Sequence, residues 1–235
     1  MLNAKAVDTI TMDITNIPTA VYHAKTLAGL EQLVADELLA HGATEIKIGR
    51  RGVGFTATAE VMYRHCMHAR FTLKVLRILY QFQAKHTDDL YRMAARKKWE
   101  DVLKEDGTLT IDSTIYSDHF THDQFAVLRL KDAIVDRFRA KKGERPSIDR
   151  QNPDVRIHLH ISREDVTISL DACGEPLSKR GYRSRKAIAP LNEVLAAGLL
   201  ALSGWQPGIP LYDPMCGSGT FTCEAALWAS GMPVQ

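Results

Sequence analysis

Two glycines two residues apart, Gly217 and Gly219, sit between an apolar run and a helical repeat in Gly208-Ile-Pro-Leu-Tyr-Asp-Pro-Met-Cys-Gly-Ser-Gly-Thr220. Ile209, Leu211 and Tyr212 are β-prone, Asp213 ends the run, and the apolar-periodic Phe221–Trp228 predicts a helix starting near Thr220. Strand, glycine turn and helix in that order is ordinary α/β turn chemistry as well as a place where a small ligand can sit. The missing Cβ atoms let a nucleoside approach the backbone, and the free N–H groups at a helix start favour an anionic group such as a carboxylate. No GxxxxGK(S/T) phosphate loop is present, and Thr222 occupies the third glycine position of a dinucleotide fingerprint.

Charge divides the chain around this turn. All 30 Lys and Arg lie at or before Lys186, and after it Glu193, Asp213 and Glu224 are the only charged residues. A basic front joined to a nearly neutral, apolar back piece suggests a polyanion binder attached to a cofactor domain. The densest basic run is Lys179, Arg180, Arg183, Arg185 and Lys186, with Tyr182 among them as a stacking partner. On charge alone it reads either as an RNA contact or as a solvated hinge. Lys97, Lys98, Lys141, Lys142 and Arg145 read as exposed helix-end charges.

With 235 residues and 45% apolar composition the chain can bury real cores in one or two domains. The most apolar window, Leu191–Leu202, is interrupted by Asn192 and Glu193, so no membrane partner is expected. Met1–Ala20 contains Asp8 and Asp13, lacks the apolar stretch of a secretory signal, and reads as a loose tail. Cys66, Cys173, Cys216 and Cys223 form no C-x-x-C pair, which argues against a zinc ribbon or a disulfide scaffold and for a cytoplasmic setting.

Periodicity gives the order of elements. Val21–Lys25 predicts a strand; Leu30, Leu33, Val34 and Leu38 predict a helix stopped by Gly42; a hairpin turns at Gly49-Arg-Arg-Gly52; a helix over 60–68 and a strand over 73–80 follow. That βαββαβ order is ferredoxin-like. A second unit begins with a helix over 88–98 and Trp99, then a half-buried strand over 109–116 and a long helix over 125–141 with Phe125, Leu128, Val135 and Phe138 on one face. Val155–Ile161 and Val166–Leu170 predict a hairpin whose outer face carries Arg156, His158 and His160. His158 and His160 lack a carboxylate or thiol partner and read as polar strand face, not metal ligands; His65 and His68 read as exposed helix surface. Cys216 reads as a small residue fitting the turn rather than a nucleophile.

Asp213-Pro-Met-Cys-Gly-Ser-Gly-Thr220 closely resembles motif I of S-adenosylmethionine-dependent methyltransferases, in the DPxxGSGT form of those that methylate exocyclic amines of bases. Trp99, Lys131-Asp-Ala-Ile-Val135, Asn152-Pro-Asp-Val155, Leu170-Asp-Ala-Cys-Gly174 and Leu177-Ser-Lys-Arg-Gly-Tyr-Arg183 are similar to a THUMP domain and its exit. The joint order resembles the N-terminal portion of the THUMP-containing guanine-N2 methyltransferases of large-subunit ribosomal RNA, the RlmL type. The fold so implied is α/β with an α+β N-terminal half: a ferredoxin-like unit and a THUMP domain, then the start of a Rossmann-like methyltransferase domain. Expected bounds are a tail at 1–20, the ferredoxin-like domain at 21–82, THUMP at 83–178, a basic linker at 179–188 and the methyltransferase part at 189–235.

The resemblance implies S-adenosylmethionine held at Asp213, Pro214, Cys216, Gly217, Ser218, Gly219 and Thr220, with Pro190–Glu193 beside it, and large-subunit ribosomal RNA as partner. It implies no metal. A complete domain of this type needs further strands, an acidic ribose-binding residue and an Asn-Pro-Pro-Tyr-type loop, none of which occurs before Gln235. The chain is therefore expected to be the front of a longer enzyme, inactive alone, with no catalytic residue to assign. Alternatives are a transfer RNA guanine-N2 methyltransferase and a non-catalytic RNA-binding module; a thiouridine synthetase is disfavoured because no SGGxxS-type ATP loop is present.

Overall fold

In the computed structural model, which describes residues 18–143, 145–182 and 190–235, every strand lies in one eight-stranded sheet. β1 (Thr19–Lys25), α1 (Glu31–His41), β2 (Thr44–Gly49), β3 (Gly52–Thr58), α2 (Ala59–His68) and β4 (Lys74–Gln83) come first. α3 (Thr87–Ala95), β5 (Thr108–Tyr116), α4 (Asp123–Lys142), β6 (Ser147–Ile148), β7 (Val155–Ser162) and β8 (Asp165–Asp171) follow, then α5 (Glu193–Leu202) and α6 (Thr220–Ser230). The sheet order is β2-β3-β1-β4-β8-β7-β5-β6, antiparallel except that β5 runs parallel to β6 and β7. The first four strands and two helices are the ferredoxin-like unit expected from periodicity.

Local signals account for the element ends. Gly42, left-handed at φ 98°, returns its N–H to Leu38 and Leu39 and stops α1, and Gly143 at φ 77° does the same for α4. Thr58 caps α2 by accepting from the Val61 amide. Alternation then sorts the strands. Tyr22, Ala24, Val53, Phe55, Ala57 and Val75 pack on α1 and α2, while Leu109, Ile157, Leu159, Ile161, Val166 and Ile168 pack on Leu90, Ala94, Trp99, Leu130, Ile134 and Phe138. Burying one such large side chain contributes about 1.5–3 kcal/mol, so each half has its own core. β4 joins them: it pairs with β1 through Arg77–Lys74 and with β8 through Leu76–Gln83. The strand that closes one unit therefore opens the other.

Four expectations are corrected. The core face of α4 is Ala126, Leu130, Ala133, Ile134 and Phe138, whereas Phe125 and Leu128 are about half exposed; the 3.6-residue period puts Ala126 and Leu130, not their neighbours, over the sheet. The helix after β4 ends at Ala95 and is followed by a short 3-10 turn, where the buried Trp99 donates its indole N–H to the Ala94 carbonyl and so fixes the corner. His65 is fully buried, bonded to Thr72 Oγ1 at 2.9 Å and His41 Nδ1 at 3.0 Å, and burial pushes its pKa down to about 3. Ile209–Tyr212 is not a strand and is exposed, because none of the eight strands lies beside it to supply ladder partners.

The β7–β8 hairpin forms as expected, but its polar face is partly covered. His158 is buried beside Lys25, whose Nζ lies 2.7 Å from His158 Nε2, and burial followed by the Lys25 charge holds this imidazole down to about 3. Cys66 and Cys173, distant in sequence, meet with their Sγ atoms 3.6 Å apart as free thiols. The expected N-terminal tail lies almost wholly outside the described residues.

Candidate cofactor turn and its docking

The turn before α6 is built from its own backbone and short side chains. Asp213 accepts the Met215 amide at 3.1 Å, and Gly219 donates to the Cys216 carbonyl at 2.7 Å, closing a tight turn. Gly217 and Gly219 hold φ values of 52° and 74°, and Gly219 is itself the N-cap, with no side-chain cap. A Cβ on Gly219 would stand 3.3 Å from Thr222 Oγ1, which in turn donates to the Gly219 carbonyl. Ser218 Oγ and Thr220 Oγ1 lie 3.3 Å apart. Pro214, Met215 and Cys216 are exposed on the outer side, with Met215 at 90%.

This geometry leaves polar groups waiting. Asp213 Oδ2 is buried yet has no hydrogen-bond partner, a state that costs about 1–3 kcal/mol unless a donor arrives. Past Thr220, the amides of Phe221 and Thr222 in the first turn of α6 have no acceptor within the helix and point the same way as the helix dipole. A buried unpaired carboxylate oxygen beside open N–H groups and a backbone without Cβ is what an amine- or hydroxyl-bearing nucleoside with an anionic tail would satisfy. Nearby, Asn192 caps α5 through the Leu195 amide and Glu193 is buried.

The same helix is fastened to the ferredoxin-like unit. Arg180 reaches across with its side chain fully buried, donating to the carbonyls of Ala69, Leu177 and Arg70 and lying 3.6 Å from Glu224 on α6. Tyr182 donates to the same Glu224 oxygen at 3.0 Å, and Arg70 donates to Leu227 O at 3.1 Å. Phe71 meets Trp228 edge-on, and Val234 donates to Met67 O. Burial raises the Glu224 carboxyl above its ordinary range, against the pull of Arg180 and Tyr182. Half-buried Glu37 accepts the amides of Arg70 and Phe71, yet burial outweighs them and lifts it to about 7.

The residues expected to hold RNA are therefore split. Arg180 is inside, not on a solvated linker, because its guanidinium fork reaches three carbonyls and Glu224 together. Tyr182 is tied to Glu224, Lys179 is exposed and pairs with Glu175, and Arg183, Arg185 and Lys186 lie outside the described residues. Of the helix-end cations, Lys97 sits 5.1 Å above the Tyr80 ring and Lys141 pairs with Glu100 at 2.8 Å. Among the described residues no group of three His, Cys, Asp or Glu could hold a metal ion, and no helix is long and apolar enough to cross a membrane. The role of Glu224 had no local sequence signal beyond its being an acid on an otherwise apolar helix.

Comparison with known proteins agrees with this order of parts. Residues 22–76 match the RlmL ferredoxin-like domain, 84–171 the THUMP domain, and 180–235 the RMKL-like methyltransferase domain. A ribosomal RNA large subunit methyltransferase K/L from Syntrophotalea carbinolica is 44% identical over 210 residues, which is 88% of this chain and 30% of that protein. A protein of the same name from Aliivibrio salmonicida is 43% identical over 90% of this chain and 30% of its own length. The crystal structure of SMU.472 complexed with SAH superposes with a TM-score of 0.82 at 25% identity, covering 92% of this chain and 57% of that one. The chain thus spans about 30% of the length of these curated relatives. It matches, in order, the models of the RlmL ferredoxin-like domain, the THUMP domain and the RMKL-like methyltransferase domain, and over most of its length it is similar to proteins named ribosomal RNA large subunit methyltransferase K/L.

Proposed function

We propose that this chain is the RNA-holding and cofactor-turn portion of a cytoplasmic, S-adenosylmethionine-dependent methyltransferase acting on the exocyclic amine of a guanine in large-subunit ribosomal RNA. The observation that carries the reading is the unpaired, buried Asp213 Oδ2 at a glycine turn heading α6, docked on a THUMP-bearing sheet. S-adenosylmethionine, when bound, supplies an electrophilic methyl group on its sulfonium. Asp213 accepts from the cofactor's amine or hydroxyl groups, the first-turn amides of α6 meet its carboxylate, and Gly217 and Gly219 admit it to the backbone. Pro214, Cys216, Ser218 and Thr220 shape the rim of the same turn.

Exposed Lys179, with Arg183, Arg185 and Lys186 after it in the sequence, holds RNA phosphates, while Arg180 and Tyr182 bind Glu224 instead. A guanine amine is a poor nucleophile, and the base has to leave its stack before it can be presented; unstacking costs about a few kcal/mol, which grip elsewhere on the RNA offsets. The reading is tested by incubating a protein with the complete methyltransferase domain with labelled cofactor and either ribosomal or transfer RNA, then mapping label by mass. Label on a guanine amine of large-subunit RNA is expected. Label on a ring carbon or ribose would refute the chemistry, and amine label on transfer RNA alone would move the substrate.

A further inference from the structure

The helix that begins at the cofactor turn carries its own mooring one turn later. Thr220 and Glu224 are both buried, and at 1.5 Å per residue they stand about 6 Å apart along the axis of α6. Glu224 faces Arg180 and Tyr182; Arg180 is pinned to carbonyls in the α2–β4 connection and the exit from β8; Arg70 and Phe71, in that same connection, hold Leu227 and Trp228. α5 is seated as closely, since a Cβ on Gly198 would stand 2.6 Å from the Leu30 side chain. No loop intervenes between the mooring and the turn.

A buried ion pair is a poor device for stability alone, because apolar residues of similar volume often hold such a joint equally well. Here Arg180 Nε and Glu224 Oε2 are left without hydrogen bonds, so the pair is not arranged for the greatest stabilisation. A planar guanidinium fork supplies geometry: three carbonyls and a carboxylate fix its direction, and with it the rotation and height of α6. Placement matters for group transfer, where a misplacement of about 1 Å can cost on the order of 100-fold in rate.

We propose that Arg180 is a positioning residue which, acting through Glu224, sets where the methyl-donor turn at the head of α6 stands relative to RNA held by the sheet. This rests on the reading of the turn as a cofactor site and of the sheet module as the RNA holder. Tyr182 serves the same carboxylate, and the sequence that looks like a basic linker is, at its first residues, the strap of the joint.

The test uses Arg180→Met/Glu224→Leu, which removes both buried charges together and leaves neither unpaired, and Arg180→Lys, which keeps the charge and loses the fork. In a protein with the complete methyltransferase domain, affinities for S-adenosylmethionine and for RNA at fixed salt are expected to stay within about 3-fold of the parent. The single-turnover methyl-transfer rate is expected to fall by about 10–100-fold in both variants, with KM unchanged. A second arm needs no activity: dyes on unnatural residues at exposed Lys47 on β2 and Ala226 on α6 should report one narrow distance in the parent and a shifted or broadened one in the double variant. A parental transfer rate, or a parental distance distribution, in the double variant overturns the proposal. If the parent binds no S-adenosylmethionine, the reading of the turn falls, and the distance arm alone decides whether Arg180 sets the place of α6.

Discussion

Replacing Arg180 with Met separates two accounts of the segment after β8. A cation on a solvated linker can be removed within about 0.5 kcal/mol. The buried Arg180 instead faces Glu224 and donates to the carbonyls of Ala69, Leu177 and Arg70. Removing one partner of a buried pair costs about 3–5 kcal/mol, because the other charge is left uncompensated. At about 2–4 °C per kcal/mol for a chain of this size, the melting temperature should fall by about 6–20 °C. The deficit should also depend on pH. Burial already raises the Glu224 carboxyl, and Arg180 is the first group opposing that rise. Without it Glu224 takes up a proton more readily in the folded state, so the deficit is largest near pH 8 and shrinks towards pH 5.5. Thermal unfolding of the 235-residue chain followed by circular dichroism at both pH values measures this. A shift under about 2 °C at pH 8, the surface expectation, would refute the buried-pair account.

Other expectations follow from single features. Glu37 stands at about 7 against an ordinary 4.5, so the fold prefers it protonated: its penalty is absent below 4.5, grows through the interval, and is full above about 7. Glu37→Gln should therefore gain in urea midpoint over the parent at pH 8 and lose that gain by pH 5; equal midpoint differences at both would exclude the assignment. Gly219→Val puts a β-branched residue at φ 74° with its Cβ 3.3 Å from Thr222 Oγ1, which costs about 1–2 kcal/mol and should abolish S-adenosylmethionine binding by calorimetry in a protein with the complete domain. RNA affinity should fall with salt with a slope of roughly −0.7 to −0.9 per neutralised phosphate, and Lys179→Ser with Arg183→Ser, Arg185→Ser and Lys186→Ser should flatten it; an unchanged slope would make that segment a hinge. On α4, Ile134→Ala should cost about 2–5 kcal/mol, whereas Leu128→Ser should stay within about 0.5 kcal/mol, measured by chemical denaturation.

What could be read from the chain alone was whatever local chemistry decides. The caps at Gly42 and Gly143, the Gly49–Gly52 hairpin and the alternation in β5, β7 and β8 are set within a few residues, and the structure has them. The α4 face is not legible because Phe125 and Leu128 are as apolar as the residues that are buried, and only packing against the sheet chooses among them. His65 and His158 look like surface residues until Thr72, beyond the end of α2, and His41 and Lys25, from other elements, close around them. The Cys66–Cys173 contact is of the same kind, spanning two elements that no spacing rule connects.

The candidate site divides along the same line. Gly217 and Gly219 announce themselves, since φ values of 52° and 74° lie in the left-handed region that favours glycine. The strand expected before them does not form, although Ile209, Leu211 and Tyr212 have the right composition. β-propensity is a fit to a pleated, half-buried surface rather than a backbone preference, and these side chains have no such surface beside them among the described residues. Arg180 shows the converse. Its neighbours Lys179, Arg183, Arg185 and Lys186 make it look like one more phosphate contact, and charge counting cannot tell a cation that faces solvent from one that spans a joint. Only three carbonyls, a carboxylate and the absence of solvent distinguish them, and those belong to the fold.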